Sequence, residues 1–397
     1  PAVVAILLTQ GAAAQGNENA ITIGVARSLH SDVLGEDRLL LIHTPQSYDR
    51  GRAGGSADGA GERFPVIYLL DGDGHFHHTT GLLQYLSALS RMPEAIVVAI
   101  PNTDRTRDLT PPLSVADTGE FPGAGGADAF LRFFEEELIP FIDAEYRTAP
   151  YRILIGHSFG GLFAVYALLE QPDLFQAHIA ISPSLWWDEE ALVAQAADFF
   201  GDGNERRGFL YMTMGNEGGG MIAGAWGLTR ILETQASPQF HWEFRVFDAE
   251  DHGSVPHRST YAAFEAIFAD WNIQDPLALA DDGDLSRIDA HYAALSERFG
   301  YEIRTPELLI NRVGYGLIPE QPDAAIAVFE ENMRRYPASA NVYDSLGDGY
   351  DAAGRYEEAL RSYARAVELA EAENHPNLTL YRANLERMEA TLRQGRP

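Results

Sequence analysis

A serine framed by glycines stands where a short apolar run ends and a helical pattern begins. Residues 152–155 (RILI) lead directly into the segment GHSFGG at 156–161, and apolar side chains then follow at helical spacing. A serine on such a strand-to-helix turn has its hydroxyl lifted above the sheet edge, and a glycine two residues to each side removes side chains that would collide there. The pattern predicts Ser158 as a nucleophile, with the amide of Phe159 facing the developing oxyanion.

A nucleophilic serine needs a base, and His252 is the histidine best placed to supply it. Where the nucleophile occupies such a turn, the triad follows the chain order serine, acid, histidine. His252 stands in a loop between the last predicted strand, 242–247, and the helix predicted over 261–271. His241 begins that strand and His257 follows a proline, so both are interpreted as structural residues or pocket walls. The sequence therefore assigns proton transfer to His252.

Two loops contain candidates for the acid of the triad. Glu217 follows the predicted strand 208–214 and should reach the same sheet edge as Ser158. The other candidates lie within four residues of His252 in the sequence: Asp248, Glu250 and Asp251. An acid adjacent to the histidine usually projects elsewhere, so Glu217 is favoured as the residue that orients the imidazole. An alternative in which Glu217 only caps the following helix stays open.

A second oxyanion donor must come from the loop after the predicted strand 66–70. That loop reads DGDGH, and its glycines free the backbone so that the amide of Asp73 can turn toward a carbonyl oxygen. The Asp-x-Asp pattern also resembles the start of a calcium loop, but Leu82 stands where such a loop carries its glutamate. Nearby histidines lack a third ligand type at a useful spacing, so we predict neither a metal nor a cofactor.

The elements that must position these residues are short apolar runs separated by helical patterns. Most runs show no polar alternation, as expected of strands buried on both faces. The pattern predicts an α/β fold over residues 15–272, with strand-helix-strand units on a mostly parallel central sheet flanked by helices. The predicted strands are 38–43, 66–70, 95–100, 152–155, 177–181, 208–214 and 242–247.

A second region, 285–392, shows no strand pattern and predicts a small all-helical domain. Tyrosine, alanine and glycine recur over 343–366 at the spacing of a tetratricopeptide repeat, and a degenerate copy precedes it by 34 residues. Small residues at these positions let two helices approach closely. About three repeats are usually needed for a continuous core, so the flanking helices are predicted to cap the stack. The boundary is predicted near 272–284.

The composition excludes some classes of partner, and the first residues predict the cellular compartment. The 397 residues carry a formal charge of −29, which repels phosphate backbones and anionic lipids, so nucleic acid is excluded as a partner. With no cysteine, disulfides and thiolate nucleophiles are excluded too. Residues 1–14 resemble the end of a secretory signal and are too short to span a membrane. They predict a periplasmic or secreted protein, with a buried N-terminal strand as the alternative.

Four segments together resemble the putative esterase family of α/β-hydrolases. They are YLLDGD at 68–73, GHSFGG at 156–161, SPSLWW at 182–187 and DHGSVP at 251–256. The resemblance covers residues 21–271 and implies an α/β-hydrolase fold for the predicted domain 15–272. It also implies ester hydrolysis by Ser158, His252 and an acid, with the oxyanion held by the amides of Asp73 and Phe159. The segments SPSLWW and TRDLTP are most similar to the siderophore-esterase branch of the family. The formylglutathione branch fits less well, because its substrate is cytosolic.

Four side chains are candidates for binding the substrate. Trp186 and Trp187 follow a predicted strand, so at least one should face the cleft, although both could belong to the core. Arg107 lies in the proline-rich segment 101–126, which should cover the pocket, and it could pair with Asp108 instead of a substrate. His157 adjoins the nucleophile.

The sequence thus predicts a secreted serine carboxylesterase acting on a small-molecule ester. A siderophore esterase is the alternative within the enzymes. A non-catalytic interaction protein is the alternative of another class, in which the helical repeats bind a protein partner. The same repeats could form a homo-oligomer.

Overall fold

One sheet of eight strands organises the catalytic region. The computed structural model describes residues 21–48, 62–114, 119–373 and 375–395. The predicted signal remnant, 1–14, lies outside the described residues. The strands are β1 Val25–Ser31, β2 Glu36–His43, β3 Phe64–Leu69, β4 Ile96–Ala99, β5 Thr148–His157, β6 Ala177–Ile181, β7 Gly208–Gly215 and β8 Phe240–Phe247.

The strand order places the predicted catalytic loops side by side. The order is β1-β2-β4-β3-β5-β6-β7-β8, with β1, β2 and β4 pairing antiparallel and all later neighbours parallel. Leu69 of β3 pairs with Ile155 of β5, so the loops that follow these two strands leave the sheet together. Parallel strands meet at one carboxyl edge, where ligands bind in open α/β sheets. The predicted fold class is confirmed.

Helices cover both faces of the sheet. Ile67 and Leu69 pack with the helices at 72–88 and 255–267 on one face. Tyr68 and Leu70 pack with the helices at 127–133, 159–170, 187–201 and 220–235 on the other. Strands buried on both faces explain the continuous apolar runs in the sequence. The helices are α1 Gly72–Ala88, α2 Arg105–Leu109, α3 Ala127–Phe133, α4 Ile139–Glu145, α5 Phe159–Glu170, α6 Trp187–Gly201, α7 Gly220–Gln235 and α8 Val255–Ile267, and a π-helical turn, Phe134–Leu138, joins α3 to α4.

Beyond α8 the described chain contains helices and no strand. A Cβ atom on Gly314 would lie 2.4 Å from the Phe329 ring, and one on Gly347 would lie 2.5 Å from the Tyr363 ring, so neighbouring helices need these glycines. The all-helical region is confirmed, and its assignment to the tetratricopeptide class stays a prediction. The helices are α9 Ser286–Phe299, α10 Glu307–Leu317, α11 Pro322–Arg335, α12 Ala340–Ala352, α13 Tyr356–Glu373 and α14 Leu378–Arg393.

The helical region attaches to the sheet away from the nucleophile. The ring of Phe299 in α9 lies 4.9 Å from Tyr151, 5.4 Å from Phe268 and 5.8 Å from Trp271, centroid to centroid. Tyr151 stands near the beginning of β5, whereas Ser158 follows its end. An apolar core therefore continues from the face covered by α1 and α8 into the helical region. The predicted domain bounds remain predictions.

A buried histidine in β6 should make the stability depend on pH. His178 is 1% exposed, and burial lowers its pKa to about 3, from 6.5. Its stabilising contribution is complete above pH 6.5 and falls as the pH drops toward 3, because only the unfolded chain takes up the proton. Between pH 7 and pH 5 we expect this residue alone to cost on the order of 2 kcal/mol of unfolding free energy.

Urea unfolding at the two pH values measures this effect. His178→Leu should lose correspondingly less stability than the wild type on acidification. His241→Gln, which changes an exposed histidine, should keep the wild-type pH dependence. An unchanged pH dependence in His178→Leu would refute the assignment.

Candidate active site

Ser158 occupies a strained turn between β5 and α5. Its backbone has φ 60° and ψ −116°, a positive φ that non-glycine residues seldom adopt. The Ser158 amide donates to the Ile181 carbonyl at 2.9 Å, and the Ser158 carbonyl accepts from the Leu162 amide at 2.9 Å. The hydroxyl Oγ lies 3.4 Å from Ser184 Oγ. The neighbouring strand β6 and the first turn of α5 therefore hold the serine in the geometry expected of a nucleophile turn.

Two glycines allow this turn to close. A Cβ atom on Gly156 would lie 2.0 Å from the Gly160 carbonyl oxygen, and one on Gly161 would lie 2.9 Å from the Ile181 carbonyl oxygen. Both clashes are with backbone atoms, which a rotamer change cannot relieve. The close approach of β5, α5 and β6 thus requires Gly156 and Gly161. A Cβ on Gly160, the other glycine of the predicted spacing, would only come within 3.3 Å of the Asp71 carboxylate.

Gly156→Ala is expected to disrupt the turn. The clash should cost on the order of 3 kcal/mol of unfolding free energy or more, with loss of ester turnover in whatever protein folds. Gly81→Ala is the matched control, because a Cβ there meets nothing within 4 Å. In the exposed middle of α1 it should stabilise by about 0.5–1 kcal/mol. Urea unfolding and turnover of p-nitrophenyl acetate measure both, and a fully active, stable Gly156→Ala enzyme would contradict the account.

His252 forms a short contact with Glu217. The distance from His252 Nδ1 to Glu217 Oε2 is 2.7 Å, and the Glu217 side chain is only 9% exposed. Glu217 Oε1 accepts from Ser182 Oγ at 2.6 Å and from the Gly215 amide at 3.1 Å. The carboxylate is therefore oriented by β6 and β7. An acceptor at Nδ1 selects the tautomer that leaves Nε2 free of its proton.

The acids of the histidine loop have other partners. Asp251 Oδ1 accepts from the amides of Gly253 and Ser254 at 2.9 Å and 2.8 Å, and these bonds, that of Ser254 first, lower the pKa of Asp251. Glu250 Oε2 accepts from Ser254 Oγ at 2.8 Å. Within the described part of the chain, Glu217 is the candidate acid that hydrogen-bonds His252. Asp248 is exposed.

The predicted oxyanion donors lie at two adjacent helix N-termini. Helix α1 begins at Gly72, directly after β3, and α5 begins at Phe159, directly after Ser158. The amides of Asp73 and Phe159 stand in the first turns of these helices, where no carbonyl four residues back is available within the helix. Helix N-termini favour negative charge. The two amides can serve a developing oxyanion together, and that role remains a prediction.

Arg105 is a site residue that the sequence analysis missed. Its Nε donates to Asp71 Oδ1 at 2.6 Å, and its Nη2 donates to Asp71 Oδ2 at 3.0 Å and to the His157 carbonyl at 3.1 Å. Burial raises the pKa of Asp71, but its bonds to Arg105 and Asn102 outweigh burial and leave the pKa below its usual value. Arg105 thus ties the predicted oxyanion loop to the nucleophile turn. A buried acid directly after a strand is the signal that requires such a cation.

Arg107, predicted to meet substrate, is engaged within the protein. Its guanidinium contacts Glu36 at 2.6 Å and Asp108 at 2.8 Å. This arrangement is the pairing with Asp108 that the sequence left open, extended by a second carboxylate. The two carboxylates balance the charge of Arg107 within the protein. A contact of Arg107 with substrate stays a prediction.

The two tryptophans have different environments. Trp187 is 2% exposed, and its Nε1 donates to the Pro111 carbonyl at 3.1 Å, so it belongs to the core. Trp186 is half-buried, with its ring centroid 5.9 Å from Phe121 and 6.1 Å from Phe159. Trp187 packs on the same two rings, 5.2 Å from Phe121 and 5.5 Å from Phe159. Because only Trp186 of the pair is partly exposed, Trp186 is the tryptophan that can present an aromatic wall beside the nucleophile. The fourth candidate, His157, packs its ring on His252.

The described residues show neither a metal-binding cluster nor a membrane-spanning helix. No three histidine, aspartate or glutamate side chains stand where they could hold one metal ion together. No described helix is both long and apolar enough to cross a membrane.

Sequence comparisons place these features in a known context. The model of a family described as Putative esterase matches residues 31–270. The siderophore enterobactin esterase of Emericella nidulans is 36% identical over 169 residues, which cover 36% of this chain and 54% of that protein. The ferri-bacillibactin esterase BesA of Bacillus subtilis is 36% identical over 156 residues, which cover 34% and 53%. The chain spans about half the length of these curated relatives.

Solved structures share the fold. An IroE-like serine hydrolase from Shewanella oneidensis superposes with a TM-score of 0.66 at 28% identity, over 79% of this chain and 99% of that one. An uncharacterised protein from Capnocytophaga ochracea superposes with a TM-score of 0.61 at 17% identity, over 92% of this chain and 99% of that one. The second match shows the fold alone, and it extends into the helical region.

Proposed function

The chain belongs to the Putative esterase family, and we propose that it hydrolyses carboxylic esters through an acyl-enzyme formed on Ser158. The family, the siderophore-esterase relatives and the IroE-like structure indicate a serine hydrolase. The observation that carries the proposal is the 2.7 Å contact between His252 and Glu217 at the edge where Ser158 occupies its strained turn.

In this mechanism the side chains divide the work of acyl transfer. Ser158 Oγ attacks the ester carbonyl while His252 Nε2 takes its proton and passes it to the leaving alcohol. Glu217 holds the imidazole and stabilises the imidazolium that forms. The amides of Asp73 and Phe159 stabilise the oxyanion, where preorganised donors have their largest effect. Water then attacks the acyl-enzyme with His252 as base, and Ser158 regains its proton.

A siderophore ester is the more specific substrate that we propose. Two relatives carry names that assign them to siderophore esters, and each is 36% identical to this chain over the matched segment. The aromatic wall of Trp186, Phe121 and Phe159 offers an apolar surface for an aromatic or acyl group. A carboxylesterase of broader range would use the same wall for simple acyl groups.

A substrate panel tests the proposal. The full chain is assayed on p-nitrophenyl esters of increasing acyl length beside a catecholate trilactone siderophore, with and without bound iron, and Ser158→Ala is the blank. Turnover that Ser158→Ala abolishes supports the esterase, and a preference for the trilactone supports the siderophore substrate. A folded chain that hydrolyses none of these esters would favour the interaction-protein alternative.

Two parts of the proposal concern residues outside the catalytic region. Export to the periplasm or medium rests on the apolar start of the sequence and is tested by fractionating cells that express the protein. A protein partner or homo-oligomer rests on the helical region, and its test is the molecular mass of the purified chain in solution.

A further inference from the structure

Five histidine rings form a row that starts at the proposed base. The ring centroid of His157 lies 4.6 Å from His252 and 5.8 Å from His75. His75 Nδ1 and His78 Nε2 are 3.0 Å apart, and the His78 centroid lies 5.4 Å from His257. The row runs from the active site through the nucleophile turn and α1 to α8. The mechanism above uses only its first member.

The inner rings of the row are uncharged at neutral pH. Burial lowers the pKa of His157 to about 4 and that of His78 to about 4, and it also lowers the pKa of His75. The uncharged rings therefore present no positive charge to His252. The other charged or titratable groups that face the row are Asp71, Asp73, His77, Arg105, Glu217 and Asp251.

A small cavity of about 10 Å³ lies behind the His157 ring, lined by His75, His78, Gly156 and other residues. His157 Nε2 and His78 Nδ1 are buried and have no hydrogen-bond partner among the described residues. A cavity of this size admits about one water molecule, which can bridge two such nitrogens. The His157 ring thus lines this cavity together with His75 and His78, and it also packs on His252 at 4.6 Å. His157 therefore packs against the proposed base, His252, next to this cavity.

We propose that His157 is a positioning residue for the base, His252. Its uncharged ring, which packs beside His75 and His78, holds the His252 ring in line with Glu217 and Ser158. It also keeps a second positive charge away from the imidazolium that forms on His252. This inference rests on the proposed role of His252. The His252 side chain is 42% exposed, so Glu217 and the His157 ring supply its fixed contacts. An uncharged aromatic ring beside an imidazolium is favourable, whereas a second cation there opposes its formation.

Three substitutions of His157 separate ring packing from charge. His157→Leu removes the ring and should lower kcat about tenfold to a hundredfold with little change in KM, because a small displacement of the base is costly. His157→Phe keeps an uncharged flat ring and should restore most of that loss. His157→Lys places a cation beside the base and should move the acid limb of the kcat/KM profile about one pH unit lower. The control is His241→Gln, which changes an exposed histidine outside the row.

A second readout does not depend on turnover. The pKa of His252, followed by NMR of ¹⁵N-histidine-labelled protein, should fall in His157→Lys by the same amount as the acid limb. A folded His157→Leu enzyme with wild-type kcat would overturn the inference, and so would an unmoved His252 pKa in folded His157→Lys. His252→Ala is assayed in parallel. If His252→Ala is inactive and the His157 variants keep wild-type kcat, only the positioning role of His157 is rejected. If His252→Ala is fully active, the proposed function is rejected as well.

Discussion

Ser158→Ala is expected to lower ester turnover by about 10⁶-fold, as deleting the nucleophile does in a serine protease, while an acceleration of about 10³–10⁴-fold over water persists from the oxyanion hole and binding. The fold should be retained, because the change removes one hydroxyl whose neighbour, Ser184 Oγ, is 3.4 Å away. Initial rates on p-nitrophenyl acetate, with circular dichroism for folding, measure the effect.

Ser184→Ala is the matched control for this experiment. Ser184 is 2% exposed, and its amide donates to the Ser158 carbonyl, a backbone bond that alanine keeps. The loss of ester turnover in Ser184→Ala should be small compared with the loss in Ser158→Ala. A Ser158→Ala protein with turnover within about threefold of wild type would contradict the nucleophile, because a true nucleophile contributes orders of magnitude.

Glu217→Gln should cause the second-largest loss, up to about 10⁴-fold in kcat with little change in KM, as the comparable Asp-to-Asn change does in a serine protease. The amide is uncharged and cannot stabilise the imidazolium as the carboxylate at 2.7 Å does. An NH₂ group facing His252 Nδ1 would also favour the wrong tautomer. Steady-state kinetics separate kcat from KM.

Substitutions in the histidine loop provide the comparison for Glu217→Gln. Asp248→Asn, Glu250→Gln and Asp251→Asn should each cost far less, because none of these side chains hydrogen-bonds His252 in the described structure. A near-normal Glu217→Gln enzyme beside one crippled loop variant would transfer the role to that loop residue. Uniformly mild losses would indicate a Ser-His pair without an essential acid.

The catalytic turn could be predicted because its causes are local in the chain. The glycine at 156 is required by a clash with the Gly160 backbone, within one strand-turn-helix unit. The placement of Glu217 follows from parallel strands ending at one edge of the sheet. Sequence order and strand pattern therefore sufficed for these residues.

The pocket could not be predicted in the same way, because it depends on contacts distant in sequence. Arg105 and Arg107 lie in the same short helix, α2, yet one pairs with Asp71 and the other with Glu36. Nothing in the local pattern distinguishes them. Trp186 and Trp187 are likewise adjacent, yet only Trp187 is buried, with its Nε1 donating to the Pro111 carbonyl.

The histidine row also depends on contacts between residues that are distant in sequence. Its members come from α1, the nucleophile turn, the loop after β8 and the beginning of α8. Their sequence spacing satisfies no motif, and only the packing of α1 and α8 on one face of the sheet brings the rings together.

Covalent labelling tests the central claim, that Ser158 forms the acyl-enzyme, most directly. The full chain is treated with a fluorophosphonate, digested and sequenced by mass spectrometry. If Ser158 is the nucleophile, the chain takes up one adduct, on Ser158, which is absent from Ser158→Ala and forms much more slowly in Glu217→Gln. An adduct on a different serine, or a folded chain that takes up no label, would contradict it.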